Sequence, residues 1–192
     1  MKYGGEQHSR RSIRLAGYDY AQSGAYFVTA CIQKRVCLFG SIVNGEMQLN
    51  DAGRIVQEVW RELPARLPQV RIDNFIVMPN HIHGIVLVGA QFIAPSNSPP
   101  DIAESPMGGA IGRAPTLGEI IRMYKAISTR EIRRTVTEDF RWQRNYYEHI
   151  VRNEESLNRI REYIVNNPSQ WDVDRENQAA ITPEPKDAWR LC

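Results

Sequence analysis

The order of apolar and polar positions predicts a chain in which strands and helices alternate. β-Branched and aromatic residues cluster in short runs, whereas other segments carry apolar residues every three or four positions. The short runs predict strands, and the longer period predicts amphipathic helices. Strands are predicted at 25–32, 37–39, 47–49, in both halves of 75–88 and at 140–151, and helices at 50–63, 116–134 and 153–166.

Local signals mark the ends of these elements. The Asn44-Gly45 pair predicts a two-residue hairpin turn, and Pro79-Asn80 predicts a tight bend inside the run 75–88. Short polar side chains that accept hydrogen bonds from backbone N–H groups are suited to cap helices. The candidate caps of the three helices are Asn50 or Asp51, Thr116 and Asn153.

This order of elements is that of a ferredoxin-like α+β fold. Strand, helix, two strands, helix and strand follow one another, with a hairpin inserted early and one helix added at the end. We expect an antiparallel sheet with the helices packed on one face.

Length and composition indicate one domain with an insertion and a tail. A chain of 192 residues with 42% hydrophobic positions is long enough for one buried core. Residues 89–115 are rich in Pro, Gly and Ser, a composition that predicts a flexible insertion. We therefore predict a domain at 1–171 and a C-terminal tail at 172–192.

Charge is distributed unevenly although its sum is small. The net charge is only +2, but residues 113–161 carry eleven Lys or Arg against seven Asp or Glu, and the tail carries five acidic residues against three basic ones. A basic body favours a polyanionic partner, although solvated helix faces produce similar clusters.

Cysteine usage and hydropathy indicate a cytoplasmic protein. Cys31, Cys37 and Cys192 form no C-x-x-C pair, which favours reduced thiols over a disulfide framework. No run approaches the ~18 apolar residues of a membrane span, and the N-terminal residues lack an apolar secretion signal. We expect no membrane partner.

His81 and His83 are the strongest indication of function in this sequence. Residues i and i+2 of a strand share a face, so the two imidazoles are predicted to lie side by side while Ile82 faces the core. Two imidazoles on one strand can begin a metal site, but a third ligand must come from elsewhere. The alternative is a pair of solvated histidines on the polar face of a strand.

The last helix offers that ligand together with a nucleophile. Tyr163 and Asn167 are four residues apart and therefore lie above one another on one helix face. The Asn167 carbonyl oxygen suits Mg²⁺ or Mn²⁺, and the Tyr163 hydroxyl beside a cation could attack a phosphodiester. Tyr163 could instead pack against the sheet, and Asn167 could serve only as a helix C-terminal residue.

Three blocks of sequence follow one another along the chain: M-P-N-H-I-H-G-I-V, W-Q-R-N-Y-Y-E-H-I-V-R-N-E-E-S and R-E-Y-I-V-N-N-P. In this order they resemble the motifs and imply the architecture of the single-tyrosine HUH transposases, in particular the REP-associated tyrosine transposases of bacteria. Residues 17–20 and 26–29 fit the same family. The resemblance covers roughly residues 10–171 outside the insertion.

The resemblance implies a function and a set of roles. In that family two histidines bind a divalent metal, the tyrosine is the nucleophile and a polar residue one turn later completes the metal site. These roles correspond to His81 and His83, to Tyr163 and to Asn167, with Mg²⁺ or Mn²⁺ as cofactor. The family cleaves single-stranded DNA beside REP-like hairpins and leaves a 5′-phosphotyrosine and a free 3′-hydroxyl.

Basic and aromatic side chains suit such a DNA partner, because phosphates attract Arg and unstacked bases stack on rings. Tyr146 and Tyr147 are rival nucleophiles, His149 is expected to be structural or a DNA contact, and His8 is assigned neither role. The predicted DNA-binding residues are Arg122, Lys125, Arg130, Arg141, Trp142 and Arg144.

Two other functions remain open from the sequence. The same fold could bind DNA hairpins without cutting them, or it could hydrolyse a small phosphoester with water as the nucleophile. The sequence does not distinguish a monomer from a dimer.

Overall fold

The structure, a computed structural model, describes residues 24–89, 114–185 and 187–190. The predicted N-terminal segment up to 23 and most of the 89–115 insertion lie outside the described residues. The strands are β1 (Gly24–Cys31), β2 (Gly40–Val43), β3 (Glu46–Leu49), β4 (Val70–Val77), β5 (His81–Val88) and β6 (Tyr147–Val151). The helices are α1 (Asp51–Arg61), α2 (Leu63–Arg66), α3 (Leu117–Thr135) and α4 (Glu154–Asn166), with 3₁₀ turns at Gln33–Arg35, Asn167–Val173 and Ala188–Arg190.

Four strands form one antiparallel sheet in the order β4-β5-β1-β6. This order and the intervening helices confirm the predicted ferredoxin-like α+β class. The β2–β3 hairpin is separate from the sheet and turns at Asn44 and Gly45, whose φ angles of 53° and 78° suit the predicted two-residue turn. The predicted bend at Pro79-Asn80 is closed by the Met78 N–H, which donates to the His81 carbonyl at 2.8 Å.

Helices cover both faces of the sheet, which corrects the prediction that they lie on one face. α1 and α3 pack on one face against Tyr26, Val28 and Ala30 of β1. Ala25 and Phe27 point the other way and pack against α4. Every residue of β1 is buried, so this strand needs a covering layer on each side.

The predicted helix caps are present. Asn50 accepts a hydrogen bond from the Gly53 N–H, and Asn153 accepts one from the Ser156 N–H. Thr116 and Glu119 form a reciprocal capping box at the start of α3. Each cap satisfies an N–H that the helix itself leaves without a partner.

The predicted strand at 140–151 is shorter in the structure. Only Tyr147–Val151 pairs with β1, whereas 140–146 is irregular apart from a bridge between Trp142 and Ile32. The carbonyls of Gln143 and Asn145 bond the Lys125 ammonium at 3.0 and 2.9 Å. Hydrogen bonds from the Lys125 side chain on α3 thus take the place of the strand pairing that the local sequence predicts for this segment.

Gly84 allows the core to close directly behind the two histidines. A Cβ at this position would lie 2.4 Å from the Trp60 ring, which stacks on Phe75 with 4.6 Å between ring centroids. The indole therefore packs directly against β5, the strand that carries His81 and His83. Among the described residues, none of the helices is both long and apolar enough to cross a membrane.

Candidate functional site

The two histidines of β5 face one another on the sheet face covered by α4. The Nε2 atoms of His81 and His83 lie 3.0 Å apart, and both side chains are buried. Burial lowers the pKa of His83 to about 3. Burial, with the charges of His83 and Arg35, lowers the pKa of His81 well below its usual range. Both rings are therefore neutral near pH 7, the form that binds metal ions.

The outer nitrogens of the two rings are held by hydrogen bonds. His83 Nδ1 lies 2.8 Å from Thr29 Oγ1, and His81 Nδ1 lies 2.8 Å from Asn80 Oδ1. Asn80 Nδ2 donates to the carbonyls of Arg35 and Glu176, so its oxygen must accept from His81 Nδ1–H. This assignment leaves the lone pair of His81 Nε2 pointing into the site.

Asp174 completes a cluster that could hold a metal ion. Its Oδ2 atom is 3.6 Å from His81 Nε2, and the ligand atoms of His81, His83 and Asp174 all lie within 4.8 Å of one another. The carboxyl group is 1% exposed. Burial raises its pKa to about 7, and nearby Glu184 and Glu176 also raise it, while the N–H groups of Glu176 and Asn177 act in the opposite direction.

The donor set fits a divalent cation. Within the described residues, Asp174 Oδ2 is buried without a hydrogen-bond partner. A buried carboxylate oxygen without a partner is costly unless a cation or a proton compensates it. Two convergent imidazole nitrogens supply the other ligands that such a cation needs.

Tyr163 lies beside His83. The two ring centroids are 5.3 Å apart, and the Tyr163 hydroxyl donates to Glu184 Oε1 at 2.7 Å. Burial raises the pKa of Tyr163, and the hydrogen bond and charge of Glu184 and the charge of Asp174 raise it further. The nearby Asn167 amide acts in the opposite direction. The phenol is therefore protonated in this arrangement.

Contacts on both sides of α4 fix the position of Tyr163. Ile160 and Ile164 are buried against the sheet. Arg161 forms a two-pronged ion pair with Asp73 of β4, with a distance of 3.0 Å between Nε and Oδ1. The helix is thereby attached to the sheet by apolar contacts and by a bidentate charged pair.

Asn167, the predicted third ligand, follows α4 as its C-terminal cap residue. It is 1% exposed, and neither its amide oxygen nor its nitrogen has a hydrogen-bond partner in the described part of the chain. An unsatisfied buried amide next to a candidate metal cluster is consistent with a ligand contact.

A cavity of about 230 Å³ opens beside these groups. Arg35 and Arg175 line it, and both approach Glu176: Arg35 Nε lies 2.6 Å from Oε2, and Arg175 Nε lies 3.5 Å from Oε1. Lys34 and Arg35 have φ angles of 60° and 51°, a strained conformation for residues with side chains. Further lining residues include Thr29, Cys31, His83, Gln143, Asn145 and Tyr163.

Two of the residues predicted to contact DNA, Trp142 and Lys125, use their polar groups in hydrogen bonds within the protein. Trp142 is 9% exposed, packs in the core of the α1–α3 face and donates from Nε1 to Ser128 Oγ. Its ring is therefore not available to stack on a base, contrary to our prediction. Lys125 uses its ammonium group on backbone carbonyls, and burial lowers its pKa to about 8.

The other predicted DNA contacts are exposed arginines that are not among the residues lining the cavity, although Arg144 lies between two that are, Gln143 and Asn145. Arg122 and Arg130 lie on α3, the layer on the opposite face of the sheet from Tyr163. Arg130 is paired with Glu131 at 3.1 Å. Arg141 and Arg144 lie on the irregular segment before β6. The arginines that line the cavity, Arg35 and Arg175, were not predicted.

The rival tyrosines and His149 have contacts of their own. Tyr146 and Tyr147 both line the cavity. Tyr147 donates to Asp187 Oδ1 at 2.6 Å, and the Tyr146 ring lies under the Lys125 ammonium at 5.5 Å. His149 lies against the Trp189 ring, with 4.3 Å between ring centroids. His8 lies outside the described residues.

Three carboxylates that sequence reasoning missed come from the predicted tail. Asp174, Glu176 and Glu184 return to the site, and buried Trp189 joins the core on the α4 face. The described part of 172–192 thus packs onto the domain predicted at 1–171. Its acidic composition is visible in the sequence, but no local spacing connects those carboxylates to the histidines.

The chain is similar in sequence to a known protein and similar in fold to a solved transposase structure. No protein family model matches the chain. An uncharacterized protein of Haemophilus influenzae is 45% identical over 174 residues, which cover 91% of this chain and 96% of that protein. The structure of a REP-associated tyrosine transposase bound to a REP hairpin aligns with a TM-score of 0.53 and 17% identity, covering 82% of this chain and 74% of the other. The chain therefore belongs to one protein family with the Haemophilus influenzae protein, and its fold is that of the REP-associated tyrosine transposase.

Proposed function

We propose that this protein is a metal-dependent single-stranded DNA endonuclease and strand transferase that cleaves beside DNA hairpins. One observation carries the proposal: the Tyr163 ring lies beside His83. The Nε2 atom of His83 lies 3.0 Å from that of His81, and both belong to the cluster with Asp174. The fold shared with a transposase bound to a REP hairpin supports hairpin DNA as the partner class.

His81, His83 and Asp174 are the proposed metal ligands, with Asn167 as a further oxygen donor and Mg²⁺ or Mn²⁺ as the ion. When bound, such an ion supplies Lewis acidity at a phosphoryl oxygen and orients the phosphate. The neutral imidazoles and the unpartnered Asp174 oxygen support this assignment.

Tyr163 is the proposed nucleophile. Its hydroxyl oxygen forms a bond to phosphorus while the bond between phosphorus and the 3′ oxygen breaks, which gives a 5′-phosphotyrosine and a 3′-hydroxyl. The covalent bond preserves the energy of the phosphodiester, so a later 3′-hydroxyl can displace the tyrosine and rejoin a strand.

Arg35 and Arg175 are the proposed phosphate contacts nearest the reaction. Both line the cavity and share the carboxylate of Glu176, an anionic group of the kind that a DNA phosphate would replace. The exposed Arg122, Arg130, Arg141 and Arg144 remain proposed contacts for DNA outside the cavity.

The test uses single-stranded oligonucleotides taken from the flanks of the chain's own gene and selected for palindromes that can fold into hairpins. With Mn²⁺, the wild-type protein should form a covalent adduct that survives on a denaturing gel, and a chelator should prevent it. Tyr163→Phe should abolish the adduct and keep hairpin binding. Tyr147→Phe is the matched control, because Tyr147 lines the same cavity and also donates to a tail carboxylate; an adduct lost there and kept in Tyr163→Phe would reverse the assignment.

A hairpin-binding protein without cleavage activity is the second candidate. The observation that favours it is the Tyr163 hydroxyl, which is protonated and bonded to Glu184. This candidate predicts hairpin affinity that falls with salt but is indifferent to Mn²⁺ and to Tyr163→Phe, with no adduct under any condition.

A further inference from the structure

We propose that Glu184 is a catalytic residue, the general base that removes the proton from the Tyr163 hydroxyl. This inference rests on the proposed function, since it gives the nucleophile of that reaction a proton acceptor. It assigns chemistry to a residue of the predicted tail that sequence reasoning left without a role.

The contact between the two groups has the geometry of proton transfer. The Tyr163 oxygen and Glu184 Oε1 are 2.7 Å apart, with the phenol as donor. A general base must lie within hydrogen-bond distance of the proton that it takes. The phenol on the α4 face, next to His83, already meets this condition before DNA binds.

The fold holds Glu184 in place. Its backbone N–H donates to the Val173 carbonyl at 2.7 Å, which closes the loop that also presents Asp174 and Glu176. Five residues later, Trp189 is 3% exposed and packs against Phe27 of β1. Glu184 is therefore held to the turn after α4 by its own backbone and to the sheet through Trp189.

The surroundings of Glu184 increase its strength as a base. Burial raises the pKa of its carboxyl group, while the Tyr163 hydrogen bond and the charge of Arg175 act in the opposite direction. A buried phenol that needs a proton acceptor thus faces a carboxylate that binds a proton more readily than an exposed one.

The proposed step is balanced in atoms and charge. As the Tyr163 oxygen bonds to phosphorus, its proton moves to Glu184 Oε1, and the departing 3′ oxygen takes a proton from water. Glu184 then returns its proton to solvent. In the rejoining step, the attacking 3′-hydroxyl passes its proton to water, while Glu184 takes a proton from solvent and delivers it to the released tyrosine oxygen.

The experiment measures the rate of adduct formation with the same oligonucleotides and Mn²⁺. Glu184→Gln keeps the size of the side chain but cannot take the proton, so the rate should fall by about 10²-fold or more, the usual contribution of a general base. Hairpin binding should be unchanged. Asp187→Asn is the matched control, because Asp187 lies in the same segment and accepts from another tyrosine, Tyr147; its rate should stay near that of the wild type.

A second variant covers the case in which Glu184→Gln misfolds, which circular dichroism would reveal. Adduct formation by Glu184→Ala should be slow and should recover when formate is added as an external base. A folded variant that lacks the Glu184 carboxylate and reacts as fast as the wild type, or faster, would overturn the role of Glu184, as would failure of formate to rescue. If the wild type forms an adduct that Tyr163→Phe abolishes, such a result rejects the base alone; a wild type without any adduct rejects the proposed function and the base together.

Discussion

At the scale of single residues, the site combines groups that are costly to bury. Two neutral imidazoles meet at 3.0 Å, and a buried carboxyl group with a pKa of about 7 lies beside them. Asn80 orients this arrangement through three hydrogen bonds, one to His81 and two to backbone carbonyls. The fold thus maintains a polar cluster whose natural compensation is a cation.

Asp174 should contribute to metal binding directly. Asp174→Asn should weaken Mn²⁺ binding by at least about tenfold, since loss of even an outer-shell partner commonly costs 10–100-fold. Calorimetric titration of the DNA-free protein with Mn²⁺ measures this loss. Asp172→Asn changes the same charge at an exposed position two residues earlier and should bind normally. If only Asn167→Ala weakens binding, Asn167 is the third ligand and Asp174 is not.

At the scale of elements, the position of α4 decides whether the tyrosine meets the histidines. The helix carries Tyr163 on the face that also buries Ile160 and Ile164. Its attachment to the sheet is reinforced at β4, where Asp73 lies at the irregularity between Ile72 and Phe75. The distorted strand edge thus presents a carboxylate to Arg161.

Asp73→Asn should loosen this attachment. Burial alone would raise the pKa of Asp73, but hydrogen bonds from Arg161 and the Asn74 N–H, with the Arg161 charge, lower it below its ordinary 3.8. The pair therefore stabilises the fold above about pH 3.8, and this stabilisation disappears as the pH falls through the folded-state pKa.

Urea denaturation at several pH values checks the prediction. At pH 7 the free energy of unfolding should fall by about 1 kcal/mol, the upper end for a partly exposed pair, and the difference from wild type should shrink in acid. Glu155→Gln breaks an exposed pair with Arg159 inside α4 and should cost only a few tenths of a kcal/mol. Equal losses of unfolding free energy in both variants would show that the Asp73–Arg161 pair stabilises the fold no more than an exposed ion pair does.

At the scale of the whole molecule, the residues after α4 form part of the site. Trp171 lies beside His81, Asp174 and Glu176 come next, Glu184 bonds to Tyr163, and Trp189 packs on the sheet. The α4 face of the sheet is therefore covered by one helix and by this segment together. The candidate site depends on the segment remaining docked.

Trp189→Ala should release that segment. Truncation of a buried Trp costs about 3 kcal/mol when the fold cannot compensate, so the unfolding midpoint should drop and amide protection over 174–190 should fall in hydrogen exchange. Ile181→Ala is the control, because this side chain is 96% exposed in the same segment and should leave both measurements unchanged. Unchanged protection in Trp189→Ala would mean that the carboxylates hold the segment without the indole.

The local sequence determined those features that follow from the regular repeat of a strand or helix, or from the backbone angles of a turn. The convergence of His81 and His83 follows from the two-residue period of a strand, and the order of strands and helices follows from apolar spacing and caps. The Asn44-Gly45 turn likewise follows from the φ angles that these two residues tolerate.

Only the tertiary structure decided which distant groups join them. The sequence did not show that α4 covers the sheet face opposite α1 and α3, that Trp142 fills the core, or that Asp174 and Glu184 return to the histidines and to Tyr163. Side-chain direction along an element is set by neighbouring backbone angles, whereas contacts between separate segments, such as His81 with Asp174, are set by how the layers pack on a sheet whose strand β1 is buried on both faces.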